Sequence, residues 1–183
     1  MDISVIIPTY NRKHTLRRAI QSVEQQSLPP LEIIVVDDGS SDGTKEWIKK
    51  KYPHIKYIYQ KNSGVSSARN KGIKISNGNW IALLDSDDEW LPNKIDKQTS
   101  EILSNSNVKV LHSHEIWIRN GVRVNQMKKH KKYGGYIFEK CLDMCRISPS
   151  SVIIKKDVFN DIGTFNESLR AVSYTHLTLP TIV

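Results

Sequence analysis

Cysteine is scarce in this sequence, with only Cys141 and Cys145 among 183 residues. A single pair of thiols does not supply the four ligands of a structural zinc site, so we interpret both as reduced side chains. No segment approaches the roughly 20 consecutive apolar residues that span a bilayer, and the N-terminus lacks the apolar core of a signal peptide. We therefore expect a cytoplasmic protein.

Acidic residues are in the minority, because 27 Lys and Arg residues outnumber 19 Asp and Glu residues and leave a formal net charge of +8. A positive surface attracts phosphates, anionic lipid headgroups and nucleic acids alike. The densest basic run, residues 128–132, is interpreted as a solvated loop, with a peripheral contact at the inner face of the membrane as the alternative. A basic module that only binds nucleotides or nucleic acids is the alternative that this charge suggests. Since the sequence has no recognition motif or aromatic stacking platform, we expect no nucleic-acid partner.

The first half of the chain alternates apolar strands with segments of helical periodicity. Strands are predicted at residues 3–7, 31–36, 57–59 and 80–84, and helices at about 16–23, around 47–48, at 66–75 and from Pro92 onward. Pro92 is expected to open a helix with one shared apolar face, formed by Ile95, Thr99, Ile102 and Leu103. Uninterrupted apolar strands that alternate with helices predict an α/β fold of three layers, with helices on both faces of a mostly parallel sheet.

The pattern changes near residue 106. Residues 115–124 alternate around Asn120-Gly121, which is the strongest short signal for a two-residue hairpin turn. Residues 152–154 predict a further strand, and a short helix is expected from about Asp157 to a stop at Gly163. We therefore predict one domain of residues 1–170, with an antiparallel hairpin added to the parallel sheet, and two halves of 1–105 and 106–170.

Polar side chains follow three of the predicted strands, at the point where each strand ends. The three segments are Pro8-Thr9-Tyr10-Asn11, Asp37-Asp38-Gly39-Ser40 and Asp85-Ser86-Asp87-Asp88. Ligands of open parallel sheets bind at the carboxyl ends of the strands, so we expect the three loops to share one crevice. Two neighbouring carboxylates, Asp85 and Asp87, suit a magnesium or manganese ion that also holds a diphosphate, with a solvated acidic turn as the alternative.

Three further side chains have candidate roles around this crevice. Asp38 can accept a hydrogen bond from a base edge, or instead cap the next helix, and Gly39 gives the turn its backbone freedom. Arg69 can reach a phosphate through charge-assisted hydrogen bonds, or form a surface salt bridge. A metal-dependent nucleotidyltransferase would use the same acids, but the first loop is not the glycine-rich phosphate loop that such an enzyme needs.

Several motifs in this order resemble those of glycosyltransferase family 2. They are residues 4–11 (SVIIPTYN), 35–44 (VVDDGSSDGT), Gly64 with 68–72 (ARNKG), 84–88 (LDSDD), and the segments 152–156 (VIIKK) and 163–169 (GTFNESL). The resemblance covers residues 1 to about 170 and implies a Rossmann-like GT-A fold. It also implies transfer of a sugar, with inversion, from a nucleotide donor, foremost a UDP-sugar, to a saccharide or lipid-linked acceptor of a cell-surface polysaccharide.

The resemblance also implies roles for individual residues. The substrate-binding set would be Pro8, Thr9, Tyr10, Asn11, Asp38, Gly39, Arg69 and Asp85, and a divalent cation would bind to Asp85 and Asp87. Thr9 and Asp38 would lie around the nucleoside, and residues 106–170 would shape the acceptor pocket.

The sequence departs from the family pattern after Arg170. A Glu-Asp pair that contains the catalytic base is expected there, but residues 171–183 contain no Asp, Glu, Lys or Arg at all. Residues 173–181 also resemble a translated sequencing adaptor, although a short natural strand is the alternative. We therefore expect residues 171–183 to be a non-native tail and the chain to lack its catalytic base.

Overall fold

A computed structural model describes residues 1–125, 127–142 and 146–168. Three features of the sequence lie outside the described residues: Cys145, the position after Arg170 where the Glu-Asp pair is expected, and the segment 171–183. Their predictions therefore stay untested. In the part that is described, no helix is both long and apolar enough to cross a bilayer.

Strands and helices alternate through the first half of the chain. In order, they are β1 Ile3–Thr9, α1 Lys13–Glu24, β2 Glu32–Asp37, α2 Thr44–Lys51, β3 Lys56–Tyr59, α3 Val65–Ile75, β4 Trp80–Leu83 and α4 Lys94–Ser104. The second half contains β5 Val110–His112, β6 Trp117–Arg119, β7 Val122–Val124, α5 Phe138–Cys141, β8 Val152–Lys155 and α6 Val158–Ile162. Two 3₁₀ turns, Lys128–His130 and Pro149–Ser151, complete this half.

Six strands form one sheet in the order β3-β2-β1-β4-β8-β5. The pairs β1–β2, β1–β4 and β2–β3 are parallel, whereas β8 is antiparallel to both of its neighbours, β4 and β5. Strands β6 and β7 form a separate antiparallel hairpin. The predicted mostly parallel sheet with an added hairpin is therefore confirmed.

Helices cover both faces of the sheet because the apolar side chains of its strands point alternately to one face and to the other. In β1, Ile3, Val5 and Ile7 pack into one cluster, which contains buried residues of α1, α2 and α4. Ile6 points to the opposite face and packs with α3 and α6. The three-layer arrangement predicted from the sequence is thus confirmed.

Helix α4 differs from its prediction at both ends. It begins at Lys94, and Pro92 lies in the preceding turn, where its carbonyl accepts a hydrogen bond from the Ser27 amide at 2.7 Å. Leu103 is 72% exposed, although it was expected on the buried face. At about 100° per residue, Leu103 lies roughly 80° around the helix from Ile95, which places it outside the stripe that faces the sheet.

Gly72 brings α3 into close contact with β1. A Cβ atom added at Gly72 would lie 2.4 Å from Cγ2 of Ile6, which is inside the sheet core. We expect Gly72→Ala to lower the free energy of unfolding by about 1–3 kcal/mol, because the helix must move away from the strand. Chemical denaturation measures this loss. The control is Gly134→Ala, where an added Cβ meets nothing within 4 Å; equal stability of the two variants would contradict the prediction.

Candidate active site

The loops after β1 and β2 are joined by hydrogen bonds at the carboxyl edge of the sheet. Asn11, with a φ of 52°, donates its amide to Oγ of Ser40 at 2.8 Å. Its side-chain Oδ1 accepts the amide of Ser41 at 2.8 Å. Because β1 lies between β2 and β4 and runs parallel to both, β4 ends at this same edge, and the loop after it begins there. The structure therefore brings the three polar strand ends together.

The end of β1 combines buried and exposed side chains. Pro8 and Thr9 are buried, and the Thr9 carbonyl accepts the amide of Asp38 at 2.8 Å. Oγ1 of Thr9 is buried and has no hydrogen-bond partner among the described residues. Tyr10, in contrast, is 49% exposed. The first loop thus offers a buried hydroxyl and an exposed ring beside Asp38.

Asp38 holds the loop that leads into α3. Its Oδ1 accepts hydrogen bonds from Nε2 of Gln60 and the amide of Ser63, both at 2.8 Å. Its Oδ2 accepts the amide of Gly64 at 2.8 Å. Asp38 is only 4% exposed. Because it accepts the amides of Ser63 and Gly64, it supports the start of α3 rather than that of the next helix, α2. A contact between Asp38 and a nucleoside stays a prediction.

The turn after β2 requires glycine at position 39. Gly39 has a φ of +93°, and an added Cβ would lie 2.9 Å from the backbone nitrogen of Asn62. The preceding Asp37 is fully buried and accepts hydrogen bonds from the Ser40 amide at 2.8 Å and the Tyr57 hydroxyl at 2.6 Å. Burial raises the pKa of Tyr57, and the bond to Asp37 raises it further. Asp37 therefore fixes the turn from inside the fold.

Arg69 and Asp85 form an ion pair at the bottom of the loop cluster. Nη2 of Arg69 lies 2.6 Å from Oδ1 of Asp85, and the guanidinium lies 5.5 Å from the ring centroid of Phe165. The Arg69 side chain is 1% exposed and that of Asp85 is 20% exposed. This pair fixes the direction of the Asp85 carboxylate. A contact between Arg69 and a phosphate stays a prediction.

Asp87 forms its ion pair at the surface. Nη1 of Arg12 contacts Oδ2 of Asp87, and the two side chains are 51% and 48% exposed. This contact joins the loop after β1 to the loop after β4. Arg12 was not among the residues predicted from the sequence, although its position directly after Asn11 in the first polar loop is a usable signal. The guanidinium of Arg12 thus occupies one oxygen of Asp87, and because the pair is exposed, another cation can replace it.

Ser150, in the second half of the chain, holds the acidic loop. Its Oγ accepts the Asp85 amide at 3.0 Å and donates to Oδ2 of Asp88 at 2.5 Å. The Ser150 carbonyl accepts Nε1 of Trp90 at 2.7 Å. Burial raises the pKa of Asp88, and the nearby Asp85 and Asp87 charges raise it further, against the opposing Ser150 bond. No sequence signal pointed to Ser150, which is more than 60 residues from this loop.

Asn70 connects α3 to the second half of the chain. Its Nδ2 donates to the Phe165 carbonyl at 2.8 Å, and its Oδ1 accepts the Phe165 amide at 2.9 Å. Nδ2 also contacts Oε1 of Glu167 at 2.7 Å. Two segments that carry the sequence resemblance, 68–72 and 163–169, are therefore in direct contact.

The two carboxylates of the loop after β4 fit a divalent cation that is shared with a substrate. Among residues 1–125, 127–142 and 146–168, no three His, Cys, Asp or Glu side chains converge to hold a metal ion by themselves. Magnesium, however, is often held by one or two carboxylates, with phosphate oxygens and water completing the set. Asp85 and Asp87 match that donor chemistry, and the half-exposed Asp87 is open to an incoming ion.

Comparison with known proteins identifies the family. The model of glycosyl transferase family 2 matches residues 4–163. The chain belongs to this family. It is 35% identical over 171 residues to a glycosyltransferase of Rickettsia bellii, with 92% of this chain and 24% of the relative covered. It is 33% identical over 162 residues to UDP-Glc:alpha-D-GlcNAc-diphosphoundecaprenol beta-1,3-glucosyltransferase WfgD of Escherichia coli, with 86% and 62% covered.

The fold agrees with solved structures of glycosyltransferases. Residues 1–349 of S. aureus TarS, solved in complex with UDP-GlcNAc, superpose with a TM-score of 0.74 at 25% identity, with 96% of this chain and 51% of that chain covered. The GT-A fold expected from the sequence is therefore confirmed. The chain spans 24% of the length of the Rickettsia bellii relative and 62% of the length of WfgD.

Proposed function

We propose that this glycosyltransferase transfers a sugar from a nucleotide diphosphate donor, foremost a UDP-sugar, to a saccharide or lipid-linked acceptor with inversion. The observation that supports the proposal most is the meeting of the loops after β1, β2 and β4 at one edge of the sheet, with Asp85 held by a buried arginine. Two similar proteins add support, since WfgD is named for UDP-Glc and TarS was solved with UDP-GlcNAc.

In this proposal, residues 1–105 bind the donor and residues 106–170 shape the acceptor side. The nucleoside lies among residues of the first two loops, Pro8, Thr9, Tyr10, Asn11, Asp38 and Gly39. Thr9 offers a buried hydroxyl without another partner among the described residues, and Tyr10 offers an exposed ring. Asp38 acts mainly by holding the loop of residues 60–64. The second lone pair of its Oδ2 is left to accept a hydrogen bond from the nucleobase of the donor.

We further propose that transfer depends on magnesium or manganese, held by Asp85 and Asp87 together with the donor diphosphate. Such an ion stabilises the negative charge of the departing nucleoside diphosphate. The protein's own contribution is orientation, because Arg69 and Ser150 hold Asp85 from the side chain and the backbone. Asp87 exchanges its exposed contact with Arg12 for the metal.

Inversion by direct displacement needs a carboxylate base that removes the proton of the acceptor hydroxyl. In the family pattern this base belongs to the Glu-Asp pair expected after Arg170, and residues 171–183 contain no carboxylate side chain. We therefore propose that this chain binds donor but transfers sugar poorly. We also propose that the enzyme works in the cytoplasm in peripheral contact with the membrane, where a lipid-linked acceptor would be presented.

The metal-binding role of Asp87 has a direct test in donor binding. We expect Asp87→Asn to weaken manganese-dependent UDP binding tenfold or more, about 1.4 kcal/mol or above, because the variant loses a charged ligand. Titration calorimetry of UDP with and without manganese measures this change. Asp96→Asn, an exposed acid in the first turn of α4, is the matched control and should bind as the unchanged chain does. The proposal fails if UDP affinity is independent of manganese.

A further inference from the structure

We propose that the β6–β7 hairpin, residues 116–124, and the adjoining Lys128, His130 and Lys131 form a docking surface for an anionic lipid bilayer. We call these residues the hairpin surface. The inference deepens the proposed membrane contact by naming the surface that makes it. Its test involves no sugar transfer, so its failure can be distinguished from failure of the enzymatic proposal.

Apolar side chains of the hairpin are exposed instead of packed. Ile116, Ile118 and Val122 are 50%, 62% and 65% exposed. Among the described strands, β6 and β7 pair with each other and are separate from the six-stranded sheet. An isolated two-stranded hairpin gains little stability by itself in water, and its exposed apolar residues gain by burial elsewhere. The hairpin is therefore suited to insert its apolar side chains into the apolar part of a lipid bilayer.

Cationic residues are interleaved with these apolar side chains. Ile118 pairs with Arg123 across the hairpin, and Arg119 pairs with Val122, so these two pairs place one arginine and one apolar residue on each face of the ribbon. Both pairs are close to the Asn120-Gly121 turn. A protruding tip with this composition matches the boundary between lipid headgroups and acyl chains, where apolar groups insert and cations bind phosphates.

The basic turn lies against the hairpin. The rings of Trp117 and His130 are 4.8 Å apart, which places the Lys128–His130 turn beside β6. Residues 115–142 contain seven basic and two acidic side chains, or five of the eight net positive charges of the chain. Of the two interpretations of the basic run, a solvated loop and a lipid-facing patch, the proposal takes the second, because the run is next to exposed apolar residues.

Lys132 has a different role from the rest of the basic run. Its Nζ lies 3.1 Å from Oε1 of Glu115 and donates to the Arg146 carbonyl at 2.9 Å, and its side chain is only 10% exposed. These contacts tie the base of the hairpin to residue 146. The hairpin is therefore anchored at its base, and its tip is the part available to a membrane.

Charge complementarity selects an anionic bilayer as the occupant. Clustered Lys and Arg residues gain about fivefold in affinity per residue at an anionic lipid surface, and adjacent apolar side chains add to this by insertion. A neutral bilayer would use only the apolar part of the surface. We therefore expect binding to need anionic headgroups and to weaken in about 0.5 M salt, where charges are screened beyond a few ångströms.

Vesicle sedimentation tests the surface with the 183-residue chain. We expect binding to vesicles that contain phosphatidylglycerol and little binding to vesicles of phosphatidylcholine alone. The double variant Arg119→Gln/Arg123→Gln should weaken binding about tenfold or more. Ile118→Ser/Val122→Ser should have an effect of about the same size, because it removes the inserted groups.

A matched control separates a local surface from general charge. Lys49→Gln/Lys50→Gln removes the same charge from the exposed last turn of α2, which lies beside β3 at the opposite edge of the sheet from β5. We expect this control to change vesicle affinity by less than about twofold at physiological ionic strength. An equal loss in the control, or equal binding to neutral vesicles, would overturn the proposal.

Two further measurements complete the test. Far-UV circular dichroism of the hairpin variants should be unchanged, which verifies that they fold, and Asp87→Asn should bind vesicles normally. Sedimentation velocity reports whether the surface pairs with a second copy instead. Self-association abolished by Ile118→Ser/Val122→Ser, together with absent vesicle binding, would assign the surface to that contact and overturn the proposal.

Discussion

Replacing Asp85 by alanine is expected to lower the free energy of unfolding by about 3–5 kcal/mol. The variant leaves Arg69 with a buried charge at 1% exposure and without its partner. Nε of Arg69 already lacks a hydrogen-bond partner within the described part of the chain, and the ring of Phe165 at 5.5 Å supplies only a weaker cation–π contact. Chemical denaturation monitored by far-UV circular dichroism measures the loss.

The same ion pair predicts an asymmetry between its two partners. Arg69→Met should cost less than Asp85→Ala, because the carboxylate that remains is 20% exposed and can be hydrated. The double variant should be more stable than Asp85→Ala alone, since the unpaired buried charge is gone. Asp87→Ala, which breaks only an exposed pair, should change stability by less than about 1 kcal/mol. A double variant no more stable than Asp85→Ala would contradict this account.

Replacing residues 171–183 by a family-type continuation with a Glu-Asp pair is expected to raise the transfer rate about 10²- to 10⁴-fold. This is the range that a positioned general base contributes. UDP affinity should change little, because the residues proposed to bind the donor all precede Asp88. Turnover with a panel of UDP-sugars and product analysis measures the gain.

The matched control is the same replacement with Gln-Asn in place of Glu-Asp. It supplies the same length of chain and nearly the same side-chain volume without a carboxylate, so it should bind donor and remain slow. If the 183-residue chain already transfers sugar as fast as the Glu-Asp version, the segment 171–183 is a functional ending and our interpretation of it is wrong.

Sequence patterns predicted the first half of the fold well, for a physical reason. Strands β1, β2 and β4 are buried on both faces and therefore appear as continuous apolar runs, which are easy to recognise. Their shared direction followed from the helices between them, and the shared direction placed the polar strand ends at one edge. The Asn120-Gly121 turn also predicted the hairpin, because its backbone geometry is local.

Contacts between distant segments were beyond this kind of prediction. The local pattern of residues 152–154 predicts a strand, but it does not indicate that β8 pairs antiparallel with both β4 and β5. The Ser150 bonds to Asp85 and Asp88 depend on that placement. The ion pair between Arg69 and Asp85 was not predicted, because the sequence of a helix does not show that a charge is buried or which distant residue pairs with it.

Because β8 lies between β4 and β5, the sheet cannot be completed during synthesis until β8 has been made. Among the described strands, β5 pairs with β8 alone, and β8 is made about 40 residues later. The edge of β4 that β8 later covers stays unpaired for longer, over the roughly 70 residues between the end of β4 and the start of β8. Unpaired apolar edges recruit other strands. At about 5–20 residues per second, this interval lasts roughly 4–14 seconds. Nascent chains should therefore be prone to aggregation until Lys155 has left the ribosomal tunnel, and chaperone occupancy along the growing chain should peak in that interval.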